Sequence, residues 1–374
     1  MHTDPNEDRR GGRNPGELAR DERLLEAIAR VAPGTELRQG IDDVIRSHEG
    51  ALIVIGDPEA LSFMFSGGIR LDQPFRPQLL YELAKMDGAI IVNGDLTRIT
   101  HANVQLMPDP TIPSAETGTR HRTAERVAKQ TGALVVSISQ RRETVTIFRG
   151  AARYQLDPIA AVLAKTNQAV ATLETYRQRF EQVLTRLTAL EFQGAVMLDD
   201  VLVVVQRAEM TMRIAEEIER AGVELGTEGR LIRLQLTELI GEVPRDKLAV
   251  LVDYQVEGGA ADARARLERL VSLPDQRLLE FEALAELLGY PAAVNPLDHP
   301  VTPRGYRMLA HIPRLPESVI MRVIEELQGL DAIVNASQRD LEAVDGVGAT
   351  RAREIREGLR RLQEHNLVER YLQL

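Results

Sequence analysis

Gly118-Thr119-Arg120-His121-Arg122-Thr123-Ala124-Glu125-Arg126 is the stretch on which the reading of this chain turns. It follows Lys85-Met86-Asp87-Gly88-Ala89 by about thirty residues, a gap that fits one whole helical crossover between two strands. A Gly-Thr pair opening a helix leaves backbone N–H groups free for an anion, and Arg-His-Arg directly behind adds charge-assisted donors for several phosphate oxygens. Such a segment suits a triphosphate. Asp87 stands between an apolar helical run, Leu79 to Met86, and an apolar strand, Ala89 to Val92, at a turn that Gly88 makes permissive. A carboxylate so placed can hold a divalent metal and take a proton from a hydroxyl. Phosphate clamps, a metal ligand and a candidate base are what phosphoryl-type chemistry needs.

Outward from these segments, Arg23 to about Phe148 alternates apolar strands with helical periods. The strands are Ala51 to Ile55, Ala89 to Val92, Leu134 to Ser139 and Thr144 to Phe148. The helices are Leu24 to Val31, Ile41 to Ser47, Gln78 to Lys85 and Arg122 to Gln130. This predicts an α/β or α+β domain around a central sheet. The last two strands read as a hairpin through Gln140-Arg141-Arg142-Glu143, with Ser137 and Ser139 on one face.

After Arg153 the texture becomes helical. Ile159 to Glu191 keeps apolar residues at three- and four-residue spacing without Gly or Pro, which predicts one long helix. Further helices are expected over Val201 to Ala221, Leu231 to Ile240, Asp246 to Val256 and Ala261 to Leu270, forming a bundle or spine from about 155 to 290. Asn295, Pro296, Pro300 and Pro303 mark a linker or domain edge. Beyond it, Leu341-Glu342-Ala343-Val344-Asp345-Gly346-Val347-Gly348-Ala349-Thr350-Arg351-Ala352-Arg353 fits helix, apolar-Gly-apolar-Gly hairpin, helix. Gly346 and Gly348 allow close backbone approach, and Arg351 and Arg353 follow at the next helix start, a pattern that binds DNA phosphates without reading bases. Ile312-Pro313-Arg314-Leu315-Pro316 reads as a degenerate first copy whose prolines lack the N–H.

Composition narrows the classes. A chain of 374 residues that is 44% apolar can bury a sizeable core and should hold two or three domains. With no cysteine, disulfide scaffolds and thiolate metal sites are excluded, so any metal takes oxygen or histidine ligands. No apolar run approaches the ~20 residues that span a bilayer. The first twenty residues, rich in Asp, Arg, Gly, Asn and Pro, read as a disordered start without a signal peptide, and the chain is expected to be cytoplasmic. A net charge of −10 argues against coating nucleic acid non-specifically, yet Gly346 to Arg361 holds five Arg against two Glu, one local basic face.

The string from Tyr81 to Ser139, with Asp87-Gly88-Ala89, Gly118-Thr119-Arg120-His121-Arg122 and Ser137-Ile138-Ser139, closely resembles the diadenylate cyclase domain. The helical middle and the helix-hairpin-helix tail resemble the bacterial DNA integrity scanning family, so that the likeness runs from about Leu24 to the C-terminus. The resemblance implies an α+β multidomain chain: an N-terminal α/β catalytic domain with a central mixed sheet over 21–153, an all-α spine over 154–295 and a helix-hairpin-helix DNA-binding domain over 296–374. It implies condensation of two ATP to cyclic di-3′,5′-AMP and two pyrophosphates with Mg²⁺ or Mn²⁺. It also implies a homo-octamer of two face-to-face tetramers near the nucleoid, with branched DNA such as Holliday junctions and DNA-repair or recombination proteins as partners and no membrane. By position, Asp87 matches the metal-binding aspartate at the ribose 3′-OH, Gly88 and Ala89 the backbone beside the nucleotide, and Leu106 a side chain against the adenine. Gly118, Thr119, Arg120, His121, Arg122 and Thr123 match the triphosphate-gripping segment, with Arg120, His121 and Arg122 sharing catalysis, and Ser139 matches a further phosphate or metal-shell contact.

Singly, these motifs have plain structural readings. Asp-Gly is a common turn, and Arg-His-Arg a common solvated helix start. Their order and spacing within the longer match favour the site. Two rival readings stay open at this point. One is a DNA-binding scaffold that senses ATP without catalysis; the other is a DNA-repair enzyme, against which stands the lack of an acidic cluster suited to a two-metal nuclease.

Overall fold

The computed structural model describes residues 15–372, with side chains from 22 to 366. Contacts gather the described chain into two compact units. One takes residues up to Ala169 together with Glu217–Gln235, and the other takes Val170–Glu216 together with Leu236 onward.

The first unit runs α1 (Pro15–Arg30), α2 (Glu36–Arg46), β1 (Ala51–Ile55), the single turn α3 (Pro58–Leu61), β2 (Phe65–Ser66), β3 (Ile69–Pro74), α4 (Pro77–Ala84), β4 (Ala89–Val92), β5 (Arg98–Leu106), α5 (Thr119–Thr131), β6 (Leu134–Ser139), β7 (Thr144–Arg149) and β8 (Ala152–Gln155). The strands form one mixed sheet in the order β2-β5-β4-β1-β6-β7-β8, with β3 also on β5. Only β1 and β4 run parallel. Both faces are covered. On one, Ile53, Ile90, Val92, Val136 and Ile138 pack with Leu37, Ile41, Val44 and Leu80 of α2 and α4. On the other, Val54, Ile91, Val104 and Val135 pack with Ala124, Val127 and Ala128 of α5. Burial on both sides explains why β1, β4 and β6 read as unbroken apolar runs.

The expected crossover between the Asp87 and Gly118 segments is not there. The gap holds an antiparallel pair, β4 and β5, followed by an irregular stretch from 107 to 118. β5 escaped the sequence reading because its register slips against β4 at a bulge, with Asn103 left-handed at φ 53°, and this breaks the period of two. Of the first twenty residues expected to be disordered, 1–14 lie outside the described residues and Pro15–Arg20 belong to α1. The corner between α1 and α2 is filled from far along the chain. Thr227 donates its N–H to the Pro33 carbonyl at 3.0 Å, and its side chain occupies the space where Gly34 has none. Tyr154 of β8 likewise donates to Glu224 at 2.6 Å. Burial, followed by the Glu224 carboxylate, pushes the Tyr154 hydroxyl above its usual range.

The helices that follow are α6 (Ile159–Gln193), α7 (Leu198–Leu225), α8 (Arg230–Ile240), α9 (Val243–Tyr254), α10 (Ala260–Val271), α11 (Asp275–Leu278) and α12 (Phe281–Leu288). The last five are α13 (Tyr306–Ala310), α14 (Glu317–Leu327), α15 (Leu330–Asn335), α16 (Gln338–Ala343) and α17 (Ala349–Leu372). In the second unit, Phe180, Leu187, Val201, Val205, Val250 and Leu284 belong to one core, and Leu309, Val323, Leu341, Val347 and Ile355 to another. Between apolar layers lies a buried ionic network. Arg307 of α13 pairs with Glu191 of α6, which also accepts from the Tyr254 hydroxyl at 2.7 Å. Asp253 accepts the N–H groups of Gly305, Tyr306 and Arg307 at 2.7, 2.7 and 2.9 Å, and so caps α13. Burial and the neighbouring Glu191 push the Asp253 carboxyl up to about 7 against the pull of those donors.

Candidate active site

The sheet brings the sequence-predicted segments to one edge. Leu52 of β1 pairs with Ala89 on one side and Ser137 on the other, and Ala51 pairs with Ile138. Continued by one residue, the β1–β6 register puts Gly50 opposite Ser139, and the turn carrying Asp87 lies just before β4 at the same edge. α5 returns to the start of β6 through left-handed Gly132, so its opposite end, at Gly118 and Thr119, stands at the same edge as Ser139. β5 ends there too, at Leu106.

Gly88 is a glycine by necessity. Its φ is +89°, and a Cβ on it would lie 2.8 Å from the Asn103 carbonyl carbon and 3.0 Å from the Val104 nitrogen and oxygen. That close approach to β5 fixes the turn carrying Asp87. The Asp87 side chain is exposed, and no hydrogen bond or ion pair among the described residues engages it.

α5 begins at Thr119, three residues before the expected start, with Gly118 as an extended N-cap that supplies no side-chain acceptor. Successive helical residues fan by 100°, so the Arg-His-Arg run cannot point one way. Arg120 turns over the sheet edge, where its guanidinium lies on Gly50 and Nη1 donates to the Ile138 carbonyl at 3.5 Å. His121 faces the ring of Phe148 edge-on at 6.5 Å. Burial holds its pKa below the ordinary imidazole value; Arg153, Arg120 and Arg142 act the same way, and Glu116 opposes them.

Gly118, Arg120, His121 and Ser139 line an open cleft of about 300 Å³ together with Glu116, Thr117, Thr144, Thr146, Arg153, Gln155 and the β6–β7 turn, Gln140 to Arg142. Four arginines and one histidine face a single carboxylate, Glu116, which pairs with Arg153 at 2.5 Å. Such a lining selects an anion.

The structure separates other members of the expected set. Arg122 points back to the irregular stretch, donating to the carbonyls of Glu116 and Thr117 at 3.4 Å each. It belongs to a row of staples along α5. Glu125 accepts from Ser114 and Ala115, Arg126 donates to Ile112, Lys129 to Pro113, and Gln130 accepts from Asp109. Thr119 is exposed and Thr123 half-buried, both outside the cleft lining. Leu106 is 8% exposed within the core on the α5 face, and Ala89 is buried in the same core. Ser137, on the same face as Ser139, is buried with its hydroxyl unpartnered.

Sequence reasoning missed Gly50, Glu116, Thr144, Thr146, Arg153 and Gln155. The threonines were within reach, because a hairpin register that puts Ser139 on a face also puts Thr144 and Thr146 there. Arg153 and Gln155 carried no signal in a four-residue strand following Gly150.

In the tail, α13 and α14 flank the turn Ile312–Pro316, and α16 and α17 flank a turn containing left-handed Gly346, φ +82°. Val344 and Val347 anchor the second turn in the core, leaving Gly346 and Gly348 exposed. Arg351 is exposed and donates to the Gly346 carbonyl at 2.6 Å; Arg353 is exposed one half-turn on. No helix among the described residues is long and apolar enough to cross a membrane.

Residues 38–152 match the family model of the DisA bacterial checkpoint controller nucleotide-binding region, and residues 156–297 match that of its linker region. Among curated relatives, the DNA integrity scanning protein DisA of Carboxydothermus hydrogenoformans is 48% identical over 92% of this chain and 98% of its own length. That of a Parafrankia species is 46% identical over 94% and 98%. With both regions matched in order and the relatives covered almost end to end, the chain belongs to the DisA family of bacterial DNA integrity scanning proteins.

Proposed function

We propose that Asp87, Arg120, His121 and Ser139, set along one sheet edge, carry the diadenylate cyclase reaction of this chain, in which two ATP become cyclic di-3′,5′-AMP and two pyrophosphates. The observation that supports these assignments best is the arginine-rich cleft lined by Arg120, His121 and Ser139, with Asp87 outside its lining but exposed and unengaged at the turn before β4. The 3′-oxygen of each ribose forms a bond to the α-phosphorus of the other nucleotide as the bond to pyrophosphate breaks. Asp87 orients that hydroxyl and takes its proton. Arg120 and the N–H groups at the start of α5 meet the charge gathering on the phosphate oxygens, with Ser139 and Gly118 beside them.

Among the described residues no three His, Asp or Glu converge to cage a metal. One free carboxylate supplemented by substrate phosphates and water is, however, the way Mg²⁺ is commonly held, so Asp87 fits that role with Mg²⁺ or Mn²⁺. The ion would supply charge neutralisation on the phosphates.

Because each chain offers one such edge, closing the ring requires two chains face to face, and an octamer of two tetramers supplies that pairing. Within this reading the sheet region over 21–153 is catalytic, the helices over 154–295 are a spine, and 296–374 is a helix-hairpin-helix module. There Gly346, Gly348, Arg351 and Arg353 grip the phosphates of branched DNA at the nucleoid, in the company of repair or recombination proteins. Several tails acting together favour a junction over a linear duplex.

Chromatography of products formed from ATP and Mn²⁺, with and without a four-way junction, tests both halves. Cyclic product that falls when the junction is added is expected. No cyclic product refutes the catalytic assignment, and a junction that neither shifts in a gel nor changes turnover refutes the sensing. Arg351→Glu with Arg353→Glu should abolish the gel shift and leave basal turnover intact. Charge reversal is a cleaner probe than deleting residues 300 to 374, which would strip Asp253 and Glu191 of buried partners.

A further inference from the structure

Arg120 can meet a nucleotide in the cleft it shares with Ser139 only if its guanidinium stays at that sheet edge. Its own contacts hold it weakly, through one 3.5 Å hydrogen bond to the Ile138 carbonyl. What shapes its position is a missing side chain. Gly50 immediately precedes β1, is buried, and keeps a backbone conformation outside the left-handed region, so the backbone does not call for glycine. The space does. A Cβ on Gly50 would collide with Arg120 Nη1 and stand 3.1 Å from its Cζ, while the nearest backbone atom, the Ile138 oxygen, would be 3.2 Å away. The strand tolerates that second contact by a few tenths of an ångström. The guanidinium, at the far end of a flexible side chain, has to leave.

We propose that Gly50 is a positioning residue for nucleotide binding: the gap above it is the seat that keeps the Arg120 guanidinium at the cleft, beside the end of β6 that carries Ser139. The seat itself is a feature of the fold; that its ligand is a nucleoside triphosphate rests on the cyclase reading.

The test is a mutant cycle on the full chain, read as ATP affinity by calorimetry and as KM and kcat for cyclic product. Gly50→Ala should weaken ATP binding roughly tenfold, the size of one charge-assisted contact, and raise KM with it. Thermal midpoint and assembly mass should stay at wild-type values. In an Arg120→Ala background, Gly50→Ala should bring no further loss, because the group it displaces is gone; independent sites would instead add. An Arg120→Lys background serves if Gly50→Ala lowers the midpoint, since a lysine ends short of the collision. There the glycine change should be nearly silent. Wild-type affinity in Gly50→Ala, or equal losses in every background, overturns the proposal. A wild-type chain that binds ATP yet forms no cyclic product overturns the cyclase reading alone, and the binding cycle still judges the seat.

Discussion

Arginines and carboxylates concentrate in two places in this molecule under opposite conditions. At the sheet edge Arg120, Arg141 and Arg142 line an open cleft without ionic partners among the described residues, and Asp87, outside that lining, stands exposed and unengaged. In the helical unit Arg307, Glu191 and Asp253 are sealed from water, with Arg307 3% and Asp253 1% exposed, and they close on one another and on backbone N–H groups. A buried charge must be matched inside the protein, or the fold loses several kcal/mol. A crowd of exposed like charges without partners brings only mutual repulsion until something from outside compensates it. The buried, matched pattern therefore marks architecture and the exposed, unmatched one a binding surface.

The sharpest way to break that contrast is Asp87→Asn. It should lower cyclase turnover by about three orders of magnitude, roughly 4 kcal/mol of barrier, with the thermal midpoint unmoved. Near-normal turnover in an intact assembly would remove Asp87 from the site. Arg307→Ala should do the reverse. Leaving Glu191 buried without its cation should cost about 3–5 kcal/mol in urea unfolding, and an unchanged transition would mean that the network relaxes at no cost.

A finer division separates the two arginines of one motif. Arg120→Ala should weaken ATP binding by about 1.5–3 kcal/mol, whereas Arg122→Ala should cost under about 1 kcal/mol, the worth of ordinary hydrogen bonds. The second change should show instead as faster hydrogen exchange between residues 107 and 118. Equal losses from the two would return Arg122 to the phosphates.

The smallest effect concerns His121. Its pKa is depressed in the free chain, so it enters the complex neutral at pH 7. A triphosphate alongside favours the imidazolium, and binding then takes up a proton in the window between the depressed free value and the higher bound one. Affinity should accordingly rise as pH falls through that window and level off below the free value. ATP titrates there too, so the measure is the difference between the wild-type and His121→Gln profiles, expected to be less than tenfold. Identical profiles would show that the ring stays neutral.

Much of this was legible beforehand, for reasons visible in particular residues. β1, β4 and β6 were read to the residue because burial on both faces writes them as continuous apolar runs. α6 was placed to within two residues by its long helical period. Asp87, Arg120, His121 and Ser139 were singled out as site candidates from their motifs, and the sequence joined their segments through a false intermediate, the helical crossover. That error came from β5, whose bulge hides its alternation. That Arg122 turns from the cleft toward Glu116 and Thr117 was not legible, because sequence adjacency says nothing of the 100° turn between helical neighbours. Gly50 was invisible, since a residue that acts by lacking a side chain leaves no mark in composition or charge.

The corner at Pro33 and Gly34 has a practical consequence for anyone cutting this chain into pieces. A fragment ending at Gln155, where the last strand stops, would lack Thr227 against Pro33 and Glu224 against Tyr154, and so would expose the flank of the sheet it was meant to isolate. The compact unit that holds the sheet is discontinuous, so a piece that keeps it whole joins the sheet region through Ala169 by a short designed linker to Glu217–Gln235.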